Sequence, residues 1–236
     1  MAVCALNRVV NRLGGLNASG GGAGASFVAG LRPAAWFRYG DGITSAGGLV
    51  SAWADQSGNA RPLLQATGTN QPTLEADGSI TFDGVDNFLQ CGAFTLNQPV
   101  TYYLLANPVT DTSGDRFFDG GAAGAAVILA QDGAGGISVN AGAAFGGNLF
   151  PTGAYAVVAV VVNGASSSIQ VNTVAPITGD AGANNPAGFT MGSSRNGTTQ
   201  FVNARYKEAI VFPAAHNADT ISRVIRYLSQ VGQLGL

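Results

Sequence analysis

The chain is predicted to be all-β: an antiparallel two-sheet jelly-roll sandwich with one short C-terminal helix and an N-terminal helical arm. Three observations carry that expectation. Short runs rich in β-branched and aromatic residues recur about a dozen times along the chain. Between them lie turn dipeptides such as Asp77-Gly78, Asp132-Gly133, Asn163-Gly164 and Asn196-Gly197, whose residues accept positive φ at little cost. The one long helical pattern comes last, with Asn217 as N-cap, Asp219 in the first turn and an apolar stripe of Ile221, Val224, Ile225 and Leu228.

Taken in order, residues 1–26 read as an attachment arm. Val3, Leu6, Val9, Val10 and Leu13 recur at helical spacing, with Asn7, Arg8, Asn11 and Arg12 on the other side, and Gly14-Gly15 ends the run. Those five apolar residues are the candidate partner-binding set, suited to a groove on another protein. Arg8 and Arg12 interrupt the apolar stretch, which argues against a secretory leader. The segment NASGGGAGAS, residues 17–26, reads as a flexible linker. The sandwich domain then occupies residues 27–236.

Within that domain, Trp36 to Tyr39 and Leu49 to Trp53 are strands, and Asp77-Gly78 joins Thr73-Leu74-Glu75 to Ser79-Ile80-Thr81-Phe82 as a hairpin. Val100 to Ala106 is strongly β by its branched and aromatic content. Arg116 to Phe118, Ala126 to Ala130 and Ile137 to Asn140 follow as shorter strands. The longest apolar run, Tyr155 to Val162, is too β-branched for a comfortable helix and reads as a central strand buried on both faces. Ser168 to Asn172, Phe189 to Gly192, Gln200 to Ala204 and Tyr206 to Phe212 complete the set.

Composition bounds the function. With 46% hydrophobic residues and mean hydropathy +0.22 the chain can bury a core. Charged residues are only 10% and the net charge is −2, with Lys207 the single lysine. Nucleic-acid binding by phosphate neutralisation and docking to an anionic membrane are therefore not expected. No run approaches the roughly 18 apolar residues of a membrane-spanning helix. Cys4 and Cys91 read as two free thiols rather than a disulfide framework.

Candidate chemistry is sparse. Retaining glycoside hydrolysis needs two carboxyl groups about 5 Å apart. The only glutamates are Glu75 and Glu208, and the acidic neighbour of Glu75 two positions on is Asp77, in a turn. His216 precedes the last helix and no G-x-S-x-G elbow is present. Catalytic residues are therefore expected to be absent. One histidine and two distant cysteines rule against zinc. No cofactor is expected; a structural calcium ion is held in reserve for Asp83, Asp86 and Asn87, or for Asp115 and Asp119, against the reading that these residues cap their own turns. Trp36, Trp53, Tyr102 and Tyr103 could form a sugar-stacking platform, but read as core.

A resemblance adds to this. W-x-D-x-S-G-N at Trp53 to Asn59, then Gln65-Ala66-Thr67, Asn70-Gln71-Pro72 and I-x-F-D-G-x-D-x-F-L from Ile80 to Leu89 resemble the first half of concanavalin A-like, laminin-G-like β-sandwich modules. The likeness runs over residues 32–232. Such modules recur in bacteriophage structural proteins and bacterial surface proteins. The resemblance implies a non-enzymatic virion protein, a capsid or tail decoration or host-adhesion module held by its N-terminal arm. Its expected partners are other virion proteins, further copies of itself and possible host-surface glycan, and its expected location is the virion. The alternatives are a carbohydrate-binding lectin domain of a phage fibre or bacterial surface protein and, third, a glycan hydrolase.

Overall fold

A computed structural model describes residues 21–120 and 127–236. The expected arm helix with Val3, Leu6, Val9, Val10 and Leu13, and also Cys4, lie outside the described residues. The elements are α1 (Gly21–Gly30), β1 (Ala35–Phe37), β2 (Ile43–Ala46), β3 (Leu49–Trp53), β4 (Leu63–Leu64), β5 (Thr73–Leu74), β6 (Ile80–Asp83), β7 (Leu89–Gln90) and β8 (Val100–Pro108). Then follow β9 (Arg116–Asp119), β10 (Ile128–Gln131), β11 (Gly136–Asn140), β12 (Ala144–Leu149), β13 (Ala156–Val162), β14 (Ser167–Val171), β15 (Ile177–Gly179), β16 (Thr190–Met191), β17 (Asn203–Phe212) and α2 (Ala218–Gly232).

The all-β antiparallel expectation holds, but the two-sheet division does not. All strands of the described residues pair in one antiparallel sheet that winds back on itself. Two strands do the joining. β17 is long enough to pair along one edge with β6 at Asn203 to Tyr206 and with β1 at Ala209 to Val211, while β8 runs along its other edge. Short β16 bridges β7 and β9. The circuit nearly closes where β15 meets β12: a Cβ on Gly179 would sit 2.6 Å from the Phe145 ring.

Alternation along the central strands splits the apolar residues into two clusters. Inside the sheet lie Tyr102, Leu104, Ala106, Val158, Val160, Tyr206 and Val211 with Phe37, Trp53, Phe82, Phe118 and Phe189. Outside it, Tyr103, Leu105, Val157, Ala159, Val161, Ile210 and Phe212 meet Trp36 and the two helices. β13 is buried throughout because both of its faces are covered.

The Gly/Ala-rich stretch expected to be a linker is helical from Gly21, which corrects that reading. Its smallness lets α1 lie close on α2: a Cβ at Gly24 would approach Tyr227 to 2.6 Å. Val28 is fully buried in the outer cluster, and the Arg223 guanidinium lies 3.7 Å from the Phe27 ring centroid. Packing thus overrides the low helix propensity of glycine. α2 starts as expected, with the Asn217 side chain accepting from Thr220 N at 2.9 Å.

Candidate functional site

α2 covers one half of the outer face of β8, β13 and β17 and leaves the other half open. The open half is set by register. Arg205 of β17 stands opposite Asn107 of β8 and Thr81 of β6. Their neighbours Tyr206, Ala106 and Ile80 point inward, so these three point out. Tyr155, just before β13, is half-buried and packs against the edge of the helix-covered cluster. Lys207 is the extra residue of a β-bulge between Tyr206 and Glu208, a device that re-aims a side chain.

The bulge puts the Lys207 ammonium between two rings, 5.1 Å from the Tyr39 centroid and 4.3 Å from that of Tyr155. It also lies 3.7 Å from an Asp77 carboxylate oxygen. Asp77 belongs to the β5–β6 turn, where Gly78 takes φ +86°, and its Oδ1 accepts from Ser79 N and Ser79 Oγ at 2.9 and 2.5 Å. The Tyr39 hydroxyl donates to the Asp77 carbonyl. Burial opposes ionisation of Asp77, but the Ser79 donors and Lys207 prevail and hold its carboxyl below the ordinary value. At the margin, Thr81 Oγ1 donates to Glu75 Oε1 at 2.6 Å.

Among the described residues, two polar atoms on this face lack hydrogen-bond partners. Asn107 is only 8% exposed and its Oδ1 has no hydrogen bond. The Tyr155 hydroxyl is buried and equally unpaired. Ser79 Oγ lies near it and, with its own proton given to Asp77, offers the Tyr155 hydroxyl an acceptor. Leaving such groups bare costs about 1–3 kcal/mol each, and with neither atom exposed an incoming hydroxyl or water reaches them only where a covering side chain shifts. The arrangement is an aromatic and amide surface with a fixed ammonium and an exposed Arg205 guanidinium, chemistry that recognises polyhydroxylated molecules by ring contact and hydrogen bonds.

Glu208 marks the border with the covered half. It is 1% exposed, with Oε1 accepting from Trp36 Nε1 and Tyr227 Oη at 2.7 Å each and Oε2 from Tyr39 N at 3.4 Å. Burial raises its pKa despite those donors.

The other residues singled out from the sequence are placed elsewhere. Asp83 Oδ1 accepts from Val85 N and Asp86 N, and Asn87 Oδ1 from Asp83 N, so this loop caps itself. Asp119 is fully buried and spends Oδ2 on Arg116 and Arg195 N. Among the described residues no three His, Cys, Asp or Glu side chains gather as a metal site. Trp53 and Tyr102 are in the inner cluster, Trp36 and Tyr103 in the outer one. His216 Nδ1 pairs with the Tyr103 hydroxyl at 2.8 Å, and burial lowers its pKa to about 4. Burial pushes the Cys91 thiol up to about 11, making it inert. Sequence reasoning missed Tyr39, Asn107, Tyr155 and Arg205 as a set, since only sheet register brings them together.

No family model and no curated protein matches the chain. Solved structures do. Domain 4 of AbnA, a GH43 extracellular arabinanase from Geobacillus stearothermophilus, in complex with arabinotriose, is similar with TM-score 0.63 and 15% identity, over 82% of this chain and 98% of that one. The Trypanosoma rangeli sialidase in complex with sialic acid gives TM-score 0.59 and 14% identity over 84% of this chain, which spans only 33% of the sialidase. An arabinofuranosidase complexed with arabinofuranosyl-alpha-1,2-xylobiose gives 0.55 and 15%, over 85% and 59%. At these identities the likeness is one of fold. It corrects the functional expectation nonetheless: these neighbours are glycoside hydrolases or a domain of one, and none is a virion, capsid or tail component. The bacteriophage decoration and adhesion reading loses its ground, and so does the exclusion of enzymes. What the likeness shows is an all-β fold shared with these proteins.

Proposed function

We propose that the chain is a carbohydrate-recognition module whose single wound sheet holds a glycan on the outer face of β8, β13 and β17 beyond α2. The observation that carries this reading is the pair of half-buried rings, Tyr39 and Tyr155, held on either side of the Lys207 ammonium with the exposed Arg205 guanidinium near Tyr155. The likeness to a single domain crystallised with arabinotriose supports it. Lys207 is a positioning residue, fixing both rings; Arg205 and Asn107 supply hydrogen bonds.

The test is calorimetry of neutral oligosaccharides, arabinotriose first, against the wild type, Tyr155→Ala and Asn107→Ala. Binding weakened by at least about tenfold in both variants is expected, the loss of one ring contact and one well-placed hydrogen bond respectively. Binding that both variants retain in full would place the glycan elsewhere.

One observation favours a second reading, glycan hydrolysis at the same face. Glu208 and Asp77 both touch Tyr39, and their environments push their pKa values apart, upward for Glu208 and downward for Asp77, as in acid and base pairs of hydrolases. Recognition ranks first because Glu208 is sealed by Trp36 and Tyr227. Turnover of an arabino- or sialo-oligosaccharide that Glu208→Gln abolishes would reverse that order.

A further inference from the structure

A different cavity, at the opposite end of β17, brings two arginines together against a single carboxylate among the described residues. It has a volume of 420 Å³ and lies between the end of α1 and the turn after β3, lined by Arg32, Ser57, Asn59, Arg61, Leu96 and Pro213 among others. Arg205 and Pro213 are eight residues apart on an extended strand, so this cavity is about 26 Å from the open half of the outer face.

Its walls are built from committed groups. Asp55 lies behind Ser57 and Arg61, its carboxylate accepting from Trp36 N, Ser57 N, Ser57 Oγ and Arg61 N. Asn59 Nδ2 donates to Pro33 O and Ala34 O, which leaves Oδ1 as its acceptor. The Arg61 guanidinium is held in one pose, 4.2 Å over the Phe94 ring with Nη1 donating to Ala34 O at 2.8 Å. Arg32 follows α1 in a left-handed conformation, φ +56°. Neither arginine belongs to any of the three ion pairs among the described residues. The Asp55 carboxylate supplies one negative charge and the α1 C-terminus about half of one, together less than the two guanidinium groups supply.

We propose that this cavity is a second ligand site, taking a small organic carboxylate on a hydroxylated body of about monosaccharide size, with Arg32 and Arg61 holding the carboxylate. Guanidinium forks match a planar carboxylate bidentately. Leu96 and Pro213 offer apolar wall to the body of the ligand, and Asn59 Oδ1 accepts from a hydroxyl. Size argues against a bare anion, since cavities of about 300–1,000 Å³ hold whole organic ligands.

The test is calorimetry of the full chain at low salt with D-glucuronate, D-glucose and inorganic phosphate, on the wild type, Arg32→Gln and Arg61→Lys. Glucuronate should bind, and glucose and phosphate at least about tenfold more weakly, since only glucuronate offers both the fork's partner and the body. Arg32→Gln, an exposed substitution, should weaken glucuronate by about tenfold, and Arg61→Lys, which keeps the charge but loses the fork, should weaken it as well. Arg205→Ala should leave it unchanged, which separates this site from the outer face. Failure of glucuronate to bind, equal binding by both arginine variants, or phosphate binding as tightly as glucuronate would overturn the proposal.

Discussion

The same three strands run through two unlike halves of one sheet face. Under α2, β8, β13 and β17 contribute Tyr103, Leu105, Val157, Ala159, Ile210 and Phe212, all essentially buried. A few residues along, they present Asn107, Tyr155, Arg205 and Lys207 instead. The change occurs at one point, the bulge at Lys207 and the Glu208 carboxylate clasped by Trp36 and Tyr227. The covered half spends its side chains on stability. The open half keeps aromatic area and hydrogen-bonding groups unspent, which is what a binding surface needs.

The largest effects that could break this comparison are in the covered half. Tyr103→Ala should cost about 3–5 kcal/mol, the usual loss for a fully buried aromatic, and it also strips His216 of its partner. Denaturant unfolding reads this directly. The matching change in the open half, Tyr155→Ala, should cost clearly less, and equal losses would erase the distinction between the halves.

Next comes the close approach of the helices. Gly24→Ala drives a methyl to 2.6 Å from the Tyr227 ring and should destabilise by about 1–3 kcal/mol as overpacking does. Gly22→Ala meets nothing within 4 Å and should instead stabilise by about 0.5–1 kcal/mol through helix propensity. Opposite signs in thermal melts confirm that α1 is pressed against α2; like signs would show that it is not.

Smaller still is Arg205→Ala, which should shift stability by no more than about 0.5 kcal/mol as an exposed change while weakening glycan binding. A pH dependence is expected at the covered end. His216 is held neutral, its pKa lowered to about 4 by burial, so its contribution is complete above the ordinary histidine value of about 6.5 and is lost as pH falls towards 4. His216→Gln should flatten that part of the profile in melts taken between those limits; an unchanged slope would mean another group titrates there.

Much of the strand and turn framework was legible in the sequence. The Tyr155 to Val162 run became β13, the Tyr206 to Phe212 run became most of β17, and Asp77-Gly78 formed its turn with Gly78 at positive φ. These are local signals of apolar period and turn chemistry. α1 was not legible, because Gly and Ala read as linker until Tyr227, two hundred residues on, supplies the surface they fit. β12, AFGGNL, hid because its two glycines blank the alternation; Gly146 is there to let β11 approach, a Cβ meeting Ser138 Cα at 2.7 Å. The open half was illegible for a related reason. Tyr39, Asp77, Asn107, Tyr155 and Arg205 come from separate turns and strand ends, each an ordinary boundary residue in its own neighbourhood. Nor did the single sheet show in the sequence, since closure depends on which strands β16 and β17 bridge.

The central claim is that the open half binds glycan, and amide chemical-shift mapping during titration with arabinotriose tests it most directly, with the Asn107 side-chain amide as the key signal. Shifts confined to Tyr39, Asn107, Tyr155, Arg205 and Lys207, with Tyr103 and Ile210 unmoved, are the expected result. Saturating oligosaccharide that moves none of these five, or moves residues on another surface instead, would contradict the account.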